Sequence, residues 1–212
     1  MFSKNKEKIF CIGLNKTRTT TIEKVLMGFG YAMGNQEKAE MQTTNWFNRD
    51  FDKIIKLCKN ADAFQDIPFS LPYTYVILDQ YFNKAKFILT VRDSPEQWYN
   101  SITKFHSKIW SDGINPPNIE ELKNAKYRYE GFAFEVNRAI FNTPKEDPYK
   151  EKNLLQYYNN YNYAVKEYFR SKPEKLLIIN VGVKNDYVRL CEFLGKEVLS
   201  DNFPWENRTS DK

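Results

Sequence analysis

Apolar positions along this 212-residue chain follow two rhythms. Four short runs are predominantly apolar, at residues 8–14, 61–68, 86–91 and 175–181. Each has the length of a strand, and their continuous apolar character suits strands buried on both faces. Elsewhere apolar residues recur every three or four positions, which predicts helices. The first covers 19–29, with Ile22, Val25, Leu26 and Phe29 on one face and Gly30 closing it. Further helices are expected over 46–59, over 72–82 with Pro72 at the first position, and from Pro95 with a Trp98, Ile102, Phe105 and Ile109 stripe. Two long ones over 120–141 and 149–170 are rich in Tyr and Phe, and a last one over 186–194 stops at Gly195. Residues 111–117 read as a turn-rich break, and the tail 202–208 has no period. Strands alternating with helices give an α/β fold: a mostly parallel central sheet flanked by helices, with a helical insertion, about 111–172, before the last strand. No repeat or linker interrupts the pattern, so 1–212 is read as a single domain.

Composition adds limits. With 42% hydrophobic and 28% charged residues the chain is globular rather than disordered. A net charge of +5 suits an anionic ligand, but the charges are interspersed and form no basic run, which argues against nucleic acid. Cys11, Cys58 and Cys191 lie far apart and read as reduced core thiols in a reducing compartment. No signal peptide and no apolar stretch near ~20 residues is visible, so a soluble, cytoplasmic protein without a membrane span is expected. No Cys/His/Asp group has metal-ligand spacing, and no metal is expected.

Two segments carry chemistry. Ile9-Phe-Cys-Ile-Gly-Leu-Asn-Lys-Thr-Arg-Thr-Thr-Thr21 runs from a strand through a polar loop into a helix N-terminus, the layout of a phosphate cradle. It departs from G-x-x-x-x-G-K-[ST]: counted from Gly13, Arg18 holds the second glycine position, Thr19 the lysine position, and Lys16 comes three places early. That asks for a donor other than ATP. The bland alternative is a surface loop whose threonines cap the helix. The second segment places Arg92 at the carboxyl end of a predicted central strand, where open α/β sheets bind ligands, and Ser101 on the next helix. An arginine fork plus a hydroxyl can clamp a second phosphate. The alternative pairs Arg92 with Asp93 or Glu96 and leaves Ser101 on a polar face.

Together, Gly13-Leu-Asn-Lys-Thr-Arg-Thr-Thr-Thr21 and Lys86-Phe-Ile-Leu-Thr-Val-Arg-Asp-Ser-Pro-Glu-Gln-Trp-Tyr-Asn-Ser101 resemble the two nucleotide motifs of the sulfotransferase family, in its bacterial-type branch. The resemblance covers most of the chain; Leu190-Cys-Glu-Phe-Leu-Gly195, Phe203-Pro204 and Asn207 are weaker parts of it. It implies a three-layer P-loop-like fold and transfer of a sulfuryl group from 3′-phosphoadenosine-5′-phosphosulfate (PAPS), without metal, leaving 3′,5′-adenosine bisphosphate. It further implies that Asn15, Lys16, Thr17, Arg18, Thr19, Thr20 and Thr21 form the 5′-phosphosulfate loop, Lys16 acting on the bridging oxygen, and that Arg92 and Ser101 hold the 3′-phosphate. The family usually has glycine at the Arg18 position, so the backbone there is expected to avoid a glycine-only conformation. The Arg92–Ser101 spacing is one residue longer than in many relatives, with Ser94 taking up the extra residue in the loop.

Asp66-Ile67-Pro68 resembles the place where cytosolic sulfotransferases put a catalytic histidine. A carboxylate can serve as base there if burial raises its pKa; equally, Asp66 could cap the turn before Pro68. His106, the one histidine, is expected to be a semi-buried structural residue. Residues among Tyr127, Arg128, Tyr129 and Phe132 are expected to roof an acceptor pocket. The leading expectation is thus PAPS-dependent sulfation of a hydroxyl or amine on a small-molecule or carbohydrate acceptor. The rivals are a P-loop small-molecule kinase and a catalytically silent nucleotide-binding module.

Overall fold

A computed structural model describes residues 7–203. The Pro204 and Asn207 parts of the motif pattern lie outside the described residues. Four parallel strands, β1 (Ile9–Cys11), β2 (Ala63–Gln65), β3 (Lys86–Thr90) and β4 (Leu176–Ile179), form one sheet in the order β2-β1-β3-β4. β1 is central: Ile9 registers with Ala63 on one side and Lys86 on the other. Helices α1 (Thr19–Gly28), α2 (Gln36–Glu40), α3 (Thr43–Phe47) and α4 (Phe51–Cys58) connect β1 to β2, and α5 (Thr74–Tyr81) connects β2 to β3. Between β3 and β4 lie α6 (Pro95–Trp110), α7 (Ile119–Asn124), α8 (Phe132–Ile140) and α9 (Glu151–Phe169). A short 3-10 turn over Pro173–Lys175 precedes β4, and α10 (Asp186–Leu194) follows it.

The period of two along each strand divides the core into two layers. Phe10, Phe64 and Phe87 point to one face, with the Phe10 ring 5.5 Å from Phe64 and 5.6 Å from Phe87. Leu154, Tyr158, Tyr161, Val165 and Phe169 of α9 pack into that same layer. Ile9, Cys11 and Ile88 point to the other face, against Ile22, Val25 and Leu26 of α1 and Leu190, Cys191 and Leu194 of α10. Burying each such side chain contributes about 1.5–3 kcal/mol, which is how strands of three to five residues hold. The result is the three-layer P-loop-like α/β fold with a helical segment before the last strand.

The cysteines are free and buried in this core. Among the described residues no helix is long and apolar enough to cross a membrane, and no group of His, Cys, Asp and Glu could hold a metal ion.

Helix boundaries differ from expectation in three places. The span 46–59 is two helices, broken at Arg49 (φ 61°), whose guanidinium lies over the rings of Trp46 and Tyr73. The span 120–141 is also two, separated by a Lys126–Glu130 bridge and by Gly131 at φ 89°, a left-handed turn that suits glycine. Pro72 stays outside α5, which begins at Thr74, and its carbonyl accepts from Trp46 Nε1 at 3.0 Å. α2, capped by Asn35, had no counterpart in the sequence pattern because five residues are too few to show a period.

Candidate active site

The C-terminal ends of β1, β2 and β3 open on a cavity of about 750 Å³. The β1–α1 loop, Asp66 after β2, Arg92 after β3 and side chains of α6 and α8 line it. Asn15, Lys16, Arg18, Thr19, Thr20, Thr21, Asp66, Arg92 and Ser101 all line it. Thr17 does not line it: it is 1% exposed. Its amide and hydroxyl both donate to the Leu14 carbonyl (3.1 and 2.6 Å), and Oγ1 also meets Thr90 Oγ1 at 2.6 Å. That contact explains Gly13, where a Cβ would fall 1.9 Å from Thr90 Oγ1.

The loop is held by its carbonyls. Tyr161 Oη donates to Ile12 O (2.7 Å), Trp98 Nε1 to Asn15 O (2.9 Å) and Arg92 Nε to Lys16 O (2.7 Å). With its carbonyls engaged from α9, α6 and the end of β3, the loop can turn amide groups toward the cavity. The first turn of α1 adds N–H groups without intrahelical partners. Lys16 (φ 68°) and Arg18 (φ 69°) flank Thr17 in left-handed conformations, an alternation that makes anion-binding concavities. Arg18 thus sits in the left-handed region, which favours glycine without being closed to other residues, at a cost of about 1–2 kcal/mol. Its guanidinium packs on Gly182, where a Cβ would come within 2.9 Å of Nη1.

The charges around the cradle are unbalanced toward positive. Among the described residues Arg92 makes no ion pair with a carboxylate; its amide donates to Tyr158 Oη at 2.9 Å. Asp93 instead accepts from Asn180 Nδ2 and Gln97 Nε2. Burial lowers the pKa of Arg92, and the neighbouring Arg18 charge lowers it further. Lys16 Nζ rests 3.3 Å from the centre of the Phe105 ring, and burial pulls its pKa below the usual lysine value. Ser101 Oγ donates back to Gln97 O at 2.8 Å while lining the cavity. Ser94 caps α6 by accepting from Gln97 N at 3.2 Å.

Asp66 lines the same cavity from a left-handed turn (φ 66°), with Oδ1 accepting from the Ile67 amide at 2.8 Å. It both caps its turn and lines the cavity. Burial pushes its pKa up to about 6, assisted by the charge of Glu40 and opposed by the Ile67 hydrogen bond and Lys16. Glu40 is 5% exposed, pairs with Arg128 and accepts from Gln36 Nε2 at 3.1 Å. Sequence reading missed it because it sits on the five-residue α2. Of the four expected roof residues, Tyr127 and Phe132 line the cavity, Arg128 bonds Glu40, and Tyr129 bonds Glu135 at 2.5 Å. His106 also lines it; burial drops its pKa to about 3, so it is neutral, with Nδ1 2.7 Å from Tyr149 Oη.

From α9, Tyr158 and Tyr161 reach the ends of β3 and β1 directly. Their apolar spacing showed a core stripe but not which hydroxyl would find a loop carbonyl.

The sequence profile described as a sulfotransferase domain matches residues 8–211. No curated protein matches the chain at a significant level. A match over nearly the full length, on a fold that gathers the loop and Arg92 around one cavity, means that the chain belongs to the sulfotransferase-domain family, transferases of the sulfuryl group.

Proposed function

We propose that the protein transfers a sulfuryl group from PAPS to a hydroxyl or amine of a small-molecule acceptor. The observation that carries this is the tie between two cationic subsites on one wall: Arg92 Nε holds the carbonyl of Lys16. One subsite is the loop with Lys16 and the α1 N-terminus, the other Arg92 with Ser101. A donor with phosphates at its 5′ and 3′ positions fits two such subsites, whereas ATP offers one continuous chain. PAPS supplies the activated sulfuryl group.

Asn15, Lys16, Arg18, Thr19, Thr20 and Thr21 are the proposed 5′-side contacts, and Arg92 and Ser101 the 3′-phosphate contacts. As the bond from acceptor oxygen to sulfur forms, the bond from sulfur to the 5′-phosphate oxygen breaks and its electron pair stays on that phosphate. Lys16, leaving the Phe105 face, neutralises the charge building there. Asp66 takes the acceptor proton and is competent once ionised, above about pH 6. A loose transition state asks more of positioning than of base strength. The three buried thiols support a reducing, cytoplasmic setting as part of the proposal.

Lys16→Ala is the direct test of the mechanism. It should lower kcat with labelled PAPS by about 10²–10³-fold while weakening bisphosphate binding far less. Unchanged turnover removes Lys16 from the reaction.

A further inference from the structure

The charged side chains that line the cavity do not balance. Lys16, Arg18, Arg92, Lys104 and Lys108 stand against Asp66 and Glu40, and Glu40 is already paired with Arg128. The proposed donor engages the first three cations, which leaves Lys104 and Lys108 of α6. Both are exposed, and among the described residues neither makes an ion pair. Two carboxylates near the end of α6 are committed elsewhere. Asp112 accepts from the amides of Ile114 and Asn115 at 2.8 and 2.7 Å. Glu121 accepts from Ser111 Oγ at 3.0 Å and from the Asn118 amide at 2.8 Å. Lys108 in the last turn gains from the helix C-terminus, but Lys104 one turn earlier only repels it. Helix stability therefore gives no reason for the pair.

Their place along the cavity follows from the contacts of α6. Trp98 Nε1 donates to Asn15 O, Arg92 Nε holds Lys16 O, and two turns after Trp98 the Phe105 ring receives the Lys16 ammonium at 3.3 Å. The Lys16 side chain thus extends along α6 toward its C-terminus, and Lys108 and Ile109 stand one turn past its amine. Lys108 is about 10 Å along the helix axis from Ser101, beyond the 3′-phosphate subsite. Helix α8 runs antiparallel beside α6: Phe141 after its end meets Trp98 (6.4 Å), and Tyr127 links Phe132 at its start (5.8 Å) to Trp110 (6.1 Å). Phe132, Val136 and Ile140 of α8 line the cavity as one apolar row at four-residue spacing. On α6, Phe105 and Ile109, 39% and 42% exposed, form a second apolar row with the two lysines in the row beside it. The cavity past Lys16 is therefore an apolar cleft with a cationic, solvent-facing edge.

From this placement we infer that the acceptor is an apolar carboxylate, its anionic group held by Lys104 and Lys108 and its body lying along the α8 row. Its hydroxyl or amine reaches the sulfuryl group beside Lys16. The inference rests on the sulfotransferase reading for which end reacts, but recognition of an apolar anion is a property of the cleft alone. Two unpaired lysines also offset the repulsion between an anionic acceptor and a polyanionic donor in one cavity. Because both lysines face solvent, the preference they give is modest and sensitive to salt.

The probes are para-hydroxyphenyl alkanoates of increasing chain length, each matched with its uncharged primary amide. Binding is measured by calorimetry with and without 3′,5′-adenosine bisphosphate, and sulfation with labelled PAPS. At low ionic strength the carboxylate should bind about three- to tenfold tighter than its amide at one or more lengths, and added salt should erase the difference. Affinity should also rise with alkyl length as apolar surface is buried. Replacing both lysines by glutamine (Lys104→Gln with Lys108→Gln) should abolish the carboxylate preference, and replacing both by glutamate should turn it into a preference for the amide. Equal binding of acid and amide at every length, a preference that survives the glutamine substitutions, or an affinity flat with length overturns the inference. So does a glutamine variant that loses bisphosphate affinity while keeping the acid-to-amide ratio, which would give the lysines to the donor. A carboxylate preference without bisphosphate binding would keep the inference and sink the donor assignment, and bisphosphate binding without that preference would do the reverse.

Discussion

Arg18 and Asp66 hold left-handed backbone conformations at the cavity, and each makes a separable prediction. Replacing Arg18 by glycine relieves the strain of a side chain at φ 69° but removes a positive charge beside Arg92. Arg18→Gly should raise or preserve Tm, by up to about 1 kcal/mol in stability, while weakening bisphosphate binding. A clear loss of stability would contradict the strain assignment. For Asp66 the folded carboxyl binds its proton more tightly than the unfolded one. The stability it contributes is full below 3.8 and is lost as pH rises through about 6. Asp66→Asn should thus gain Tm relative to wild type from pH 4 to pH 7 and then level off. The wild-type kcat/KM should fall below pH ~6, and Asp66→Asn should lose that limb along with about 10²–10⁴-fold in rate. A pH profile flat to pH 5 would remove Asp66 as the base. At this scale the sequence was most informative where a motif fixed the spacing, as for Lys16 and Arg92. It was silent on Glu40, whose importance comes from a contact with Arg128 that lies 88 positions away.

The elements show why the loop stays open as a cradle. Its shape is imposed by α6 and α9, through Trp98 and Tyr161, as much as by its own residues. Tyr161→Phe keeps the buried ring and deletes the bond to Ile12 O. It should cost about 1–3 kcal/mol by leaving that carbonyl unpaired, and should also weaken bisphosphate binding. Lost stability with unaltered binding would show that the loop keeps its form without α9. The strands and most helices were legible because fully buried strands read as apolar runs and long amphipathic helices repeat. The breaks at Arg49 and Gly131 were not, because apolar residues on either side continue in phase across them.

Across the whole molecule, the order β2-β1-β3-β4 sets the central strand β1 between two neighbours, so its loop emerges between Asp66 and Arg92. Pairing order depends on contacts distant in sequence, and local periodicity carries no record of it. The alternation of strands and helices nevertheless gave the class and layering. The same topology makes the central claim testable, because it puts the loop and Arg92 subsites on one wall while keeping them chemically distinct. The most direct measurement is a calorimetric titration with 3′,5′-adenosine bisphosphate and with AMP, on wild type and Arg92→Ala. The wild type should bind the bisphosphate at least about tenfold more tightly, and Arg92→Ala should remove most of that difference. Equal affinity for the two nucleotides, or no affinity for the bisphosphate, would contradict a donor held at two phosphates.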